Sequence, residues 1–298
     1  MKKKKILLTG ASGFLGYNLF LFFRDKFRTL GTYSGNPLEL PEEQTCHLDI
    51  RDEEEVKQLF RDWKPDVAIH AAGVTSPAFC RKHQQLARAV NVEGSGLIAR
   101  EARRLNCRVI SMSTDRVFGG EKGNYLETDR AAPCGYYGET KLESEQLIRK
   151  ISPQAVIFRL PLLYGRPSPF HDSFVSWMIE AFRKKEPLHL FTDQFRTPLY
   201  VGDVGTALTR IIEKPDISGL FHLGGPERIS RSDFGYRMAE IFDFDPGIIR
   251  PIKMEEKPHL PPSPADASLN SEKLYRLLNF SPKNVEEGLR ALKKDLEK

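Results

Sequence analysis

Two side chains that could transfer a proton stand one helical turn apart in the sequence. Tyr137 and Lys141 are separated by three residues in the segment 136–150, whose pattern predicts a helix, so both side chains would lie on one face of it. A phenol with a free pKa of about 10 is a poor acid–base group at neutral pH, but a nearby ammonium group lowers that pKa. The pair is therefore a candidate for acid–base chemistry, although the same spacing is common on solvated helix faces.

A hydroxyl group upstream points to the same chemistry. Thr114 follows the segment 108–113, which predicts a buried strand, and ligands of open α/β folds bind at the carboxyl ends of strands. Its side chain could hydrogen-bond a substrate carbonyl that Tyr137 protonates while a nicotinamide delivers hydride. A threonine that merely ends a strand is the structural alternative. The order of the three residues along the chain favours reduction of a carbonyl group.

A glycine-rich turn predicts the site of the nicotinamide coenzyme. Gly10, Gly13 and Gly16 lie between an apolar segment, 5–9, and a segment of helical spacing, 14–27. In such a strand–turn–helix unit the first glycine permits the tight turn, the second lets a pyrophosphate approach the backbone, and the third lets the helix pack close to the sheet. The helix N-terminus then offers unpaired N–H groups to the phosphate oxygens.

The end of the second predicted strand, 29–33, bears on the choice of coenzyme. An acidic residue there normally holds the ribose hydroxyls of NAD, but the segment 31–36 contains none. NADP is therefore favoured over NAD, with Ser34 as the expected contact, although no arginine stands there to hold a 2′-phosphate.

The elements around these residues alternate between strand and helix. The resulting fold class is α/β, a Rossmann-type doubly wound parallel sheet with a smaller C-terminal substrate-binding region. We assign residues 1–163 and about 199–225 to the NAD(P)-binding domain, and 164–198 and 226–298 to the smaller domain. Further strands are predicted at 66–72, 108–113, 155–163 and 219–224, and further helices at 52–63, 84–105 and 201–213, with helical pattern again from 271 and from 285.

Composition excludes several classes of protein. With 40% hydrophobic and 29% charged residues, the sequence is that of an ordinary globular protein, and no apolar stretch approaches the length of a membrane span. The net charge of +5 gives no case for a nucleic-acid partner, and no signal peptide is expected. The four cysteines lack the spacing of a zinc site or a disulfide framework, so we expect no metal and a cytoplasmic location.

The motifs together resemble the extended short-chain dehydrogenase/reductase family. TGASGFLG, STDRVF and YGETKLESE are most similar to the dTDP-4-dehydrorhamnose reductases and their relatives, and the resemblance covers nearly the whole chain. It implies a catalytic triad of Thr114, Tyr137 and Lys141, a substrate-phosphate contact at Arg196, and a possible homodimer. It further implies that the coenzyme is bound by Gly10, Ser12, Gly13, Phe14, Leu15, Gly16, Ser34, Asp49, Ile50, Ala71, Ala72, Gly73, Tyr137, Lys141 and Leu163. For Asp49, a helix-capping role is the alternative.

Departures from the family pattern concern the substrate. Arg116 stands where these reductases usually have tyrosine, and Ser263 where relatives often carry arginine. The glutamate that is typical of 4,6-dehydratases after Asp115 is missing, which argues against dehydration.

The resemblance implies a reductase of the dTDP-rhamnose biosynthesis type, acting on a 4-keto nucleotide sugar. Two alternatives stay open. A nucleotide-sugar 4-epimerase uses the same triad on a retained coenzyme. A regulatory subunit similar to methionine adenosyltransferase subunit beta would bind NADP without catalysis.

Overall fold

A computed structural model describes residues 3–35, 44–170 and 173–297 of the chain. Its centre is a seven-stranded parallel sheet in the order β11-β6-β5-β4-β1-β2-β3. These strands are β1 (Lys5–Thr9), β2 (Arg28–Tyr33), β3 (Thr45–His47), β4 (Val67–His70), β5 (Arg108–Thr114), β6 (Val156–Leu160) and β11 (Gly219–His222). The strand order reverses between β1 and β4, which is where a Rossmann fold binds its ligand.

Helices cover both faces of this sheet, as the alternating pattern predicted. Successive residues of β1 point to opposite faces: Ile6 and Leu8 lie in one apolar cluster with α1, α8 and α10, and Leu7 lies in another with α2, α5 and α6. The helices in sequence order are α1 (Phe14–Phe23), α2 (Glu53–Trp63), α3 (Pro77–Lys82), α4 (Gln84–Arg88), α5 (Ser95–Arg104), α6 (Tyr136–Ile151), α7 (Phe174–Lys184), α8 (Val201–Glu213), α9 (Arg231–Phe242), α10 (Glu272–Leu278) and α11 (Val285–Leu296).

A second apolar cluster lies outside the central sheet. Helices α7, α9 and α11 pack there around three small strand pairs, and Phe182, Phe234 and Leu289 are among its buried side chains. The remaining strands are β7 (Leu163–Tyr164), β8 (Leu188–Phe191), β9 (Phe195–Arg196), β10 (Leu199–Tyr200), β12 (Ile229–Ser230) and β13 (Ile249–Ile252). The division of the chain into two domains at the bounds given above stays a prediction.

The structure confirms the predicted α/β class and corrects two of the predicted elements. The helix predicted over residues 84–105 is interrupted by a π-helical turn, Ala89–Gly94, between α4 and α5. The strand predicted over residues 155–163 ends at Leu160, because Pro161 cannot donate to the ladder. No helix among the described residues is long and apolar enough to cross a membrane.

A buried ion pair joins helix α6 to the sheet. Arg159 on β6 donates to both carboxylate oxygens of Glu145 on α6, at 3.0 and 2.7 Å, and both side chains are about 95% buried. The hydroxyl of Ser113 on β5 also donates to Glu145. The carboxylate therefore ties α6 to two adjacent strands, which fixes the helix that carries Tyr137 and Lys141.

We expect Glu145→Gln to destabilise the protein by roughly 3–5 kcal/mol, because it leaves the Arg159 guanidinium buried without a countercharge. Urea unfolding followed by circular dichroism measures the change. Glu143→Gln is the matched control, since Glu143 lies on the same helix but pairs with Arg88 on the surface. Equal stabilities of the two variants would contradict the role given to Glu145.

Candidate active site

The glycine-rich turn forms a cradle at the start of α1. Gly10 has a φ of +72°, and a Cβ added there would lie 2.7 Å from the backbone nitrogen of Ala72. A Cβ at Gly16 would lie 2.0 Å from the carbonyl oxygen of Gly10. Gly13 is the N-cap of α1 and provides no side-chain cap, so the first N–H groups of the helix remain available. This geometry fits a dinucleotide pyrophosphate.

Two adjoining cavities meet at this turn. The first, of about 380 Å³, is lined by Ser34, Asp49 and Ile50, and the second, of about 560 Å³, by Thr114, Tyr137 and Lys141. Both are lined by Gly13, Ala71, Ala72 and Gly73. Each residue predicted to bind the coenzyme lines at least one of the two: Gly10 and Ser12 line the smaller cavity, and Phe14, Leu15, Gly16 and Leu163 the larger. The pair of cavities could therefore hold an extended dinucleotide.

Asp49 is not a helix cap. Asp52 caps α2 by accepting hydrogen bonds from the backbone N–H groups of Glu54 and Glu55. The Asp49 carboxylate instead accepts from the Arg51 guanidinium at 2.5 Å, and this hydrogen bond lowers the pKa of Asp49. Its role toward an adenine stays a prediction, and the sequence interpretation overlooked Arg51, which also lines this cavity.

Thr114, Tyr137 and Lys141 come together in the larger cavity. Thr114 is the last residue of β5, at the carboxyl edge of the sheet, and Tyr137 and Lys141 lie in the first two turns of α6. The Thr114 hydroxyl donates to Asp115 Oδ1 at 3.1 Å and accepts from the Arg116 backbone N–H at 3.2 Å. Tyr137 is close enough for this hydroxyl to influence its pKa. The arrangement is the one that protonation of a bound carbonyl oxygen requires.

Burial governs the protonation of the two groups on α6. It raises the pKa of Tyr137 to about 12, and the Thr114 hydroxyl and the charge of Arg116 only partly offset this rise. The sequence had predicted a lowered pKa, which is wrong because desolvation of the phenolate outweighs the positive charge of Arg116. Burial also lowers the pKa of Lys141 to about 8, against an opposing effect of the Glu145 carboxylate.

Arg196 lines the larger cavity but has its terminal donors occupied. Its Nε lies 3.1 Å from the Asp115 carboxylate, and its Nη atoms contact the backbone carbonyls of Phe195, Ala265 and Pro264 and the Ser263 hydroxyl. The four hydrogen bonds of the Nη atoms engage its terminal N–H groups, whereas the Nε–Asp115 contact is an ion pair without a hydrogen bond, since Asp115 Oδ2 has no hydrogen-bond partner among the described residues. The structure thus gives Arg196 a supporting role, and its predicted contact with a substrate phosphate stays a prediction.

Sequence interpretation missed Arg231, which lines the same cavity at the start of α9. Its guanidinium stacks over Phe174, 4.6 Å from the ring centroid, and its Nε donates to Gln194 Oε1 at 3.1 Å. No motif marked this residue, because it stands in a region where only the tertiary fold brings it near Thr114.

Asn91, within the π-helical turn, holds the segment that follows β4 in the wall of the larger cavity. Its side-chain oxygen accepts from the backbone N–H of Val74, and its amide donates to the carbonyl of Val74 and to the Thr140 hydroxyl. These bonds hold the segment after β4 against α6. The π-helical turn explains why the predicted long helix is interrupted at this point.

Comparison with known proteins supports this description. The RmlD substrate binding domain model matches residues 4–298. A probable low-salt glycan biosynthesis reductase of Haloferax volcanii is 31% identical, over 96% of both chains. Methionine adenosyltransferase 2 subunit beta of Bos taurus is 30% identical, over 84% of this chain and 75% of its own.

A solved structure gives the same result for the fold. The dTDP-4-dehydrorhamnose reductase of Bacillus anthracis, in complex with NADP, superimposes with a TM-score of 0.85 at 25% identity, covering 99% of this chain and 100% of its own. With the family model matched over nearly every residue, the chain belongs to the RmlD family of extended short-chain dehydrogenases/reductases.

Proposed function

We propose that this protein is an NAD(P)H-dependent reductase of a 4-keto nucleotide sugar, similar to the dTDP-4-dehydrorhamnose reductases. The observation that carries the proposal is the convergence of Thr114, Tyr137 and Lys141 on one cavity that adjoins the glycine-rich turn. The full-length similarity to the Bacillus anthracis reductase and to the Haloferax volcanii reductase supports it.

The three side chains divide the work at the carbonyl oxygen. When bound, the reduced nicotinamide supplies the hydride. The Thr114 hydroxyl holds the oxygen by a hydrogen bond, Tyr137 donates the proton, and the Lys141 ammonium stabilises the phenolate that remains. Burial keeps the phenol protonated before the reaction but also makes it a weak acid, so the Lys141 ammonium has to stabilise the phenolate as the proton leaves.

The coenzyme is proposed to be NADP rather than NAD. The reductase of Bacillus anthracis was solved with NADP, and the cavity next to β2 is lined by Ser34 with no acidic residue of β2 beside it. A carboxylate at that position would repel a 2′-phosphate.

A second candidate function is that of a regulatory subunit. It is favoured by the 30% identity to methionine adenosyltransferase 2 subunit beta. A regulatory subunit would form a stable complex with a synthetase and would not reduce any keto sugar. A 4-epimerase would use the same three side chains, but would return the hydride to the sugar that gave it.

A cytoplasmic location and a homodimer are also proposed. In support of the location, Cys46, Cys80, Cys107 and Cys134 are all free thiols, as a reducing compartment allows.

Tyr137→Phe should lower the rate of keto-sugar reduction roughly 100- to 10,000-fold, because the proton donor is lost while the ring still packs. The assay follows NADPH oxidation at the nicotinamide absorbance with dTDP-4-dehydrorhamnose and other 4-keto nucleotide sugars. Tyr136→Phe, on the preceding residue and outside the cavity, is the control and should retain the wild-type rate. Equal losses in both variants would contradict the assignment.

The turnover number should fall above about pH 8, roughly tenfold per pH unit, as Lys141 loses its proton. The sign follows from burial, which lowers the pKa of Lys141, so the ammonium exists below that pH and the neutral amine above it. Lys141→Arg keeps its charge throughout and should lack this decline, whatever its absolute rate. A wild-type profile that stays flat through this range would contradict the role of Lys141.

Ser34→Asp should reverse the coenzyme preference. We expect the wild type to bind NADPH more tightly than NADH, and the variant to lose roughly tenfold or more in NADPH affinity through repulsion of the 2′-phosphate. Ser34→Asn, which matches the size of aspartate without its charge, is the control. Fluorescence titration of each coenzyme measures the dissociation constants, and an unchanged ratio in Ser34→Asp would refute the contact.

A further inference from the structure

Three guanidinium groups and one carboxylate lie together in the wall of the larger cavity. Arg116, Arg196 and Arg231 all line it, together with Asp115. Arg196 and Asp115 form a buried ion pair, and the Nη atoms of Arg196 donate to backbone carbonyls. Two positive charges, on Arg116 and Arg231, are left without a paired carboxylate among the residues that the structure describes.

Arg231 is held in place with a donor unused. Stacking on Phe174 and the bond to Gln194 fix its orientation. Its Nη1 atom is buried and has no hydrogen-bond partner within the described part of the chain. Burial and the charges of Arg196 and Arg116 lower the pKa of Arg231 to about 9, against the opposing effect of the Asp115 carboxylate. An unpaired buried charge of this kind calls for an anionic partner.

The hydroxyl oxygen of Ser263 is approached by more N–H donors than it can accept hydrogen bonds from. Arg116 Nη2, Gln194 Nε2 and Arg196 Nη2 approach its oxygen at 3.0, 3.1 and 3.5 Å. A hydroxyl oxygen has two lone pairs, so three N–H donors exceed its capacity as an acceptor. At least one of the three N–H donors is therefore not satisfied by Ser263.

We propose that Arg116 and Arg231, together with Gln194 and Ser263, form the site for the diphosphate of the substrate, an inference that rests on the proposed function. A diphosphate bridging sugar and nucleoside carries two negative charges, which match the two unpaired guanidinium groups. Arg196 supports the site through its ion pair with Asp115. Where relatives often carry arginine at the position of Ser263, this chain supplies its guanidinium groups from positions 116 and 231.

A neighbouring cavity adjoins the proposed diphosphate site. It measures about 500 Å³ and shares Arg116, Gln194 and Ser263 with the anion site. Its remaining wall is largely apolar, with Phe191, Met254 and Leu260. A flat apolar group with polar edges fits such a wall, so the nucleoside is assigned to this cavity. Sugar, diphosphate and nucleoside would then follow one another from Tyr137 outward.

The test is isothermal titration of dTDP and of UDP into the protein saturated with NADP⁺, which keeps the nucleotides out of the coenzyme site. Arg231→Gln and Arg116→Gln should each weaken binding roughly 10- to 100-fold, the loss of one charge-assisted contact. Arg231→Lys keeps the charge but not the fork of donors, and should lose less. Arg237→Gln is the matched control, because Arg237 lies on the same helix and pairs with Glu227 outside the cavity.

The outcomes separate the inference from the proposed function. Wild-type affinity in both Arg231→Gln and Arg116→Gln, an equal loss in Arg237→Gln, or no binding of either nucleotide would overturn it. The NADP⁺ affinity of each variant should stay at the wild-type value, which also shows that it is folded. Binding that depends on Arg231 in a protein that reduces no keto sugar would support the anion site and contradict the reductase.

Discussion

The buried ion pair between Glu145 and Arg159 is the constraint on which the site depends. Tyr137, Lys141 and Glu145 are spaced four residues apart, so they form one stripe along α6, and the innermost of them is bonded to β5 and β6. Thr114 ends β5 itself. The distance between the hydroxyl of the strand and the phenol of the helix is thus set by a charged contact two turns away.

Burial affects the charged groups in two parts of the larger cavity, on α6 and beside Asp115. On α6 it keeps Tyr137 protonated and lowers the pKa of Lys141 to about 8. The positive charge of Lys141 is therefore lost when the pH rises above that value. Beside Asp115 it leaves Nη1 of the Arg231 guanidinium without a hydrogen-bond partner in the part of the chain that the structure describes. Both effects have one origin, because desolvation penalises every charge that the protein does not itself compensate. In the second case a ligand is the natural compensation.

The sequence was sufficient for features that depend on local pattern. The glycine-rich turn, the strand before Thr114 and the helix of Tyr137 and Lys141 each follow from spacing over a few residues, and the structure places them as expected. The sequence was insufficient for properties that depend on contacts between residues far apart in the chain. The pKa of Tyr137 depends on burial by the whole fold, the donors of Arg196 are taken by distant carbonyls, and Arg231 comes near Asp115 from more than a hundred residues away.

Isotope labelling follows the hydride from the coenzyme to the sugar. The protein is incubated with a 4-keto nucleotide sugar and NADPH deuterated at the transferring position of the nicotinamide, and the sugar product is analysed by mass spectrometry and NMR. A keto-reductase places one deuterium on the former carbonyl carbon for each coenzyme oxidised. A product without deuterium, or coenzyme bound without any turnover, would contradict the account and favour an epimerase or a regulatory subunit.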